Sequence, residues 1–149
     1  MAINVDANQS IDSILQGLKL TAQAELVVIN KTSSPLVRVG AHNENGRWPL
    51  GDIQPNTAEH IGNEYFSFAA NYQVAEGKNF QFAASSPMVG RLKIDLGAIN
   101  QPGNAPARQV WDNMMDRSDK DVANASYSAT ARFLKIGTSL VWVFEVRPA

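Results

Sequence analysis

Side chains able to carry chemistry are few and scattered along these 149 residues. The two histidines, His42 and His60, fall in neither an HxxH nor an HExxH spacing, the patterns that set two imidazoles on one helix face to hold a metal. Asp112 and Asp116 stand at i and i+4, yet beside Trp111 and Met115 they read as a solvated helix face rather than a paired acid and base. The absence of cysteine excludes thiol nucleophiles, cysteine–zinc sites and disulfide frameworks. Glycines lie singly at turns and strand ends, so no loop cradles a phosphate. Asn-x-Ser/Thr sequons at Asn8, Asn30 and Asn124 arise readily by chance in so Asn-rich a chain. No catalytic residue, metal or cofactor is expected, and the protein is not expected to be an enzyme.

Charge narrows the partners further. Thirteen basic and fourteen acidic residues give a net charge of −1, without a basic stripe, so nucleic acid is not an expected partner. The start "MAINVDANQS" has no basic region followed by an apolar one, and nowhere do ~18 apolar residues run together. Neither a visible signal peptide nor a conventional membrane-spanning helix is expected.

The elements that must position any site read mainly as strands. "AELVVINKT" (24–32) and "SPLVRVGAH" (34–42) alternate around Ser33-Ser34-Pro35 as a first hairpin, and Asn45-Gly46 predicts a tight turn. "EYFSFAANYQV" (64–74) and "NFQFAAS" (79–85) form the clearest hairpin, turning at Gly77. "GRLKIDLGAI" (90–99), "SYSATARFLKI" (126–136) and "TSLVWVFEVRP" (138–148) are further strands, the last two joined at Gly137. Two helices interrupt them. In "SIDSILQGLKL" (10–20), Ile11, Ile14, Leu15 and Leu18 form one apolar stripe behind a capping Ser10. In "ARQVWDNMMDRS" (107–118), Val110, Trp111, Met114 and Met115 share helical spacing. About ten strands and two helices in one domain, 1–149, predict a mainly β fold, a compact β-sandwich flanked by two short helices.

The order of these blocks resembles the actinoporins, pore-forming cytolysins, and their wider actinoporin-like family of cytolysin and lectin sandwiches. "IDSILQGLKLTAQAELVVINKTS" (11–33) looks like the family's amphipathic helix running into a first strand. "PNTAEHI" (55–61), "FSFAANY" (66–72), a Gly77 turn and Ser85-Ser86-Pro87 follow, and the Ser-x-Pro resembles one edge of the family's phosphocholine pocket. "ARQVWDNMMD" (107–116) looks like its second helix, and "ARFLKIGTSLVWVFEVRP" like its closing hairpin. Two departures stand beside these matches: only "MVG" separates Pro87 from the next strand, where the family has a long aromatic loop, and Trp111 alone represents its tyrosine cluster.

The resemblance implies a soluble monomer, secreted or released, that acts at target membranes. Its headgroup-binding residues would be Ser67, Ser85, Pro87, Trp111, Met114 and Met115, taking phosphocholine or sphingomyelin. An N-terminal region, residues 1–22, would leave the sandwich (23–149) and form a pore as copies assemble, through Ile11, Asp12, Ile14, Leu15 and Leu18, with Asp6 and Asp12 lining a water-filled path. The second expectation is a lectin or headgroup-binding module on the same sandwich without pores, with a pocket of Asn, Ser and Arg groups for glycans.

Overall fold

A computed structural model describes residues 2–116 and 119–149. The order is β1 (Ala2–Asn4), α1 (Ile11–Gly17), β2 (Ala24–Asn30), β3 (Val37–Asn45), β4 (Thr57–Asn63), β5 (Phe66–Ala75) and β6 (Lys78–Ser86), then β7 (Lys93–Gly97), α2 (Asn104–Asp112), β8 (Met115–Asp116), β9 (Lys120–Asn124), β10 (Tyr127–Ile136) and β11 (Ser139–Pro148). The described strands form a six-stranded sheet, β1-β4-β2-β11-β10-β9, and a five-stranded sheet, β3-β5-β6-β7-β8. The mainly β sandwich with two helices is therefore the fold found.

Period-two alternation builds the layers. From β5 and β6, Phe66, Phe68, Phe80 and Phe82 point into the sandwich and meet Leu26, Val28, Trp142 and Phe144 of the facing sheet. Phe82 stacks on Phe144 at 4.8 Å, and Phe66 meets Trp142 edge-on at 5.1 Å. The opposite set of β2 and β11, Val27, Ile29, Val141 and Val143, is also buried, because α1 covers it with Ile11, Ile14, Leu15 and Leu18. That double cover explains why β2 is buried along its whole length and carries an unbroken apolar run over 26–29 instead of alternating.

Small residues set the seat of α2. Ala69 and Ala83 face out beneath Ala107 and Val110, and the helix comes so close that a Cβ on Gly97 would meet Val110 Cγ2 at 2.5 Å. Gly40 lies as tightly against the backbone of Gly103. A side chain at either position would push the helix off the sheet.

Several expectations need correction. The N-terminal region, expected as a helix set apart from the sandwich, also adds a strand to it: β1 pairs antiparallel with β4 (Ala2↔Glu59, Asn4↔Thr57). Ser10 does cap α1, accepting from Ser13 N at 3.1 Å, but the helix ends at Gly17 and Leu18 is already extended. β2 and β3 do not form a hairpin; they lie in different sheets. The crossover is ordered by Asn30, whose Nδ2 donates to the carbonyls of Ser34, Ile53 and Gln54 while its Oδ1 accepts from Thr32. This fully buried side chain makes that sequon inaccessible in the folded protein. Asn45-Gly46 likewise ends β3 without joining paired strands, although Gly46 has the expected positive φ of 72°. The second helix starts three residues earlier than expected and stops at Asp112, since Pro106 is tolerated in a first turn that needs no N–H. Asp116 is therefore not on the helix with Asp112; it sits in β8, paired with Arg91.

Candidate functional site

Register places the site. Ser67 of β5 lies directly opposite Ser85 of β6, and Ser85 opposite Lys93 of β7. Directly paired residues present their side chains on one face, so the two hydroxyls and the ammonium form a row on the outer face of the five-stranded sheet. At one end of this row α2 finishes, bringing Trp111, Asp112 and Met114 over it.

The result is a cleft of about 300 Å³ lined by Ser67, Ser85, Pro87, Trp111 and Met114, together with Arg91, Lys93 and Asp112. Five residues singled out from the sequence thus meet in one place. Trp111 is fixed by its indole, Nε1 donating to Ser67 Oγ at 2.9 Å, and by the His42 ring 4.7 Å away at a tilt of 52°. Ser67 and Ser85 are joined Oγ to Oγ at 3.1 Å. Because the indole can only donate, the two serine hydroxyls carry one hydrogen more than their mutual bond uses, and that hydrogen can be given to a ligand oxygen.

Charge of both signs borders the cleft. Lys93 and Arg91 supply cations, while Asp112 supplies a carboxylate that also lies 3.8 Å from Arg108. Beside Pro87, Met88 and Val89 stand out from the surface at 73% and 88% exposed. Met115 is 67% exposed, but β8 carries it into a neighbouring groove with Ile94 and Lys120, so it does not line the cleft with the other headgroup residues that the resemblance implied. Lys93, Arg91, Met88 and Val89 were missed because strand register and loop exposure leave no local pattern. The signal available for the last two was an apolar pair in a short loop after Pro87.

The expected insertion residues lie elsewhere. Ile11, Ile14, Leu15 and Leu18 are buried against the outer face of the six-stranded sheet, and Asp12 is exposed on the far side of α1. Among the described residues no helix is long and apolar enough to cross a membrane.

No protein-family model and no curated protein matches the chain. Solved structures do resemble it. A crystal structure of the lipid binding protein Nakanori superposes with a TM-score of 0.62 at 8% identity, covering 91% of this chain and 76% of that one. A lectin from Xerocomus chrysenteron, XCL, aligns with a TM-score of 0.45 at 9% identity over 82% of this chain and 96% of its own. At 8% identity the likeness to Nakanori is one of fold alone, a β-sandwich.

Proposed function

We propose that this protein binds lipid membranes through the cleft at the C-terminal end of α2, taking a zwitterionic headgroup of the phosphocholine kind, and then commits its N-terminal region to the bilayer as copies assemble. The observation that carries the reading is one cleft lined by groups of both charges and by a tryptophan. A phosphate suits Lys93, Arg91 and the serine hydroxyl. A quaternary ammonium suits Asp112 and the Trp111 ring, with a cation–π contact of ~0.5–2 kcal/mol. Met88 and Val89 stand where a headgroup-bound molecule would press them into the interface, each able to contribute up to about 1.5–3 kcal/mol on burial. Nakanori's description as a lipid binding protein on this fold accords with that chemistry.

Departure of the N-terminal region is supported by where it packs. Among the described residues the core between the sheets contains none before Ala24, and β1 is an edge strand, so the N-terminal region can leave without opening the sandwich. The cost is substantial: four buried stripe residues at ~1.5–3 kcal/mol each come to about 10 kcal/mol, which only re-burial in lipid can return. In this reading the protein is released as a monomer, is no enzyme, and inserts only on contact with a target membrane.

The test is sedimentation with phosphatidylcholine–sphingomyelin vesicles, paired with dye release. Wild type is expected to bind and release dye, and Trp111→Ala to weaken binding about tenfold, on the scale of one desolvated cation–π contact. Binding by wild type without release would remove the pore step, and no binding at all would remove the membrane reading.

A further inference from the structure

We infer a second ligand site, for an acidic group, at the opposite end of α2. There a polar cleft of about 410 Å³ is lined by Arg38, Asn43, Arg47, Trp48 and Asn104 with the backbone at Gly40 and Ala41. Gly40, one of the lining residues, lies close against the backbone of Gly103, holding β3 against the start of the helix.

The groups it presents are almost wholly donors. Asn43 Oδ1 accepts from Trp48 N at 2.8 Å, and Asn104 Oδ1 accepts from Ala41 N at 2.9 Å. A backbone N–H can only donate, so each amide is fixed with its oxygen inward, and its Nδ2 is the end left for a ligand. Arg38 uses Nη1 on the carbonyls of Trp48 and Leu50, at 3.2 and 3.0 Å, which braces the guanidinium and leaves its other N–H groups. Among the described residues no ion pair or hydrogen bond engages the Arg47 side chain. Of the nearby carboxylates, Glu44 contacts His42 Nε2, and Asp52 accepts from the backbone N–H of Arg38. Among the described residues no carboxylate lines the cleft.

Two guanidinium groups and two outward amide nitrogens complement a ligand rich in acceptors: a sulfate, phosphate or carboxylate. That group could belong to an acidic sugar or to an anionic lipid. The site is separate in residues from the headgroup cleft, so it does not depend on the reading above.

Isothermal titration of the full chain with N-acetylglucosamine 6-sulfate and with the unsulfated sugar addresses the first source. Sedimentation with phosphatidylcholine vesicles, with and without phosphatidylserine, addresses the second. We expect one acidic probe to bind more tightly than its neutral counterpart, and Arg47→Ala, a change at an exposed side chain, to reduce that preference about tenfold with Arg47→Lys retaining part of it. Dependence on Arg47 for the sulfated sugar alone identifies a glycan ligand; dependence for phosphatidylserine vesicles alone identifies a lipid. If neither acidic probe is preferred, or if Arg47→Ala leaves the preference unchanged, the inference is overturned. Trp111→Ala separates the two sites: it should weaken binding to pure phosphatidylcholine and spare the response to the acidic probe.

Discussion

Trp111 is both a site residue and a structural one, since its indole is bonded to Ser67 and its ring rests on His42. Types and positions could be read from the chain here, but company could not. Ser67 and Ser85 were recognisable through their motifs, whereas Lys93 joins them only because β6 and β7 pair Ser85 with it, a register set by the whole sheet. A different residue-scale effect acts on Glu59, which faces Ala2 across the β1–β4 pair. Burial raises its pKa above the ordinary glutamate value. A raised pKa means the folded state favours the protonated form, so its stability contribution is full below the unfolded value of 4.5 and is lost as pH rises through the folded one. Glu59→Gln should therefore melt higher than wild type at pH 7, with the difference vanishing below about pH 4, as thermal denaturation across pH would record.

At the scale of elements, the amphipathic stripe of α1 was legible because Ile11, Ile14, Leu15 and Leu18 repeat at helical spacing behind a capping serine. Strand β1 was not, because three residues paired at an edge leave no periodicity to read. Its pairing changes what a truncation tests. Removing residues 1–22 strips β4 of its edge partner and uncovers Val27, Ile29, Val141 and Val143, so the shortened chain should melt lower and bind a hydrophobic dye. Ile14→Ala is the milder probe. With Ile14 fully buried, urea unfolding should record a loss of ~2–5 kcal/mol while vesicle binding through the far cleft persists. The missed hairpin between β2 and β3 has a physical reason too: the Ser33-Ser34-Pro35 break is followed by a bridge from Leu36 to Ile53, not by pairing back onto β2.

Over the whole molecule, the two helices cover opposite outer faces of the sandwich and divide the work. α1 packs on the outer face of the six-stranded sheet, outside the core between the sheets, while the start of α2 is held by Asn71 Nδ2 on the carbonyls of Gln101 and Gly103 just before it. In the proposed function, headgroup recognition falls to the face that α2 covers and insertion to the face that α1 covers. Trp48 and Trp142 are buried in the core, so Trp111 is the tryptophan at the surface. Quenching of tryptophan emission by brominated phosphatidylcholine in sphingomyelin-containing vesicles measures the central claim directly. Quenching on binding that disappears in Trp111→Phe is the result predicted; emission left unquenched, or quenching unchanged in Trp111→Phe, would contradict a membrane-facing cleft at the end of α2.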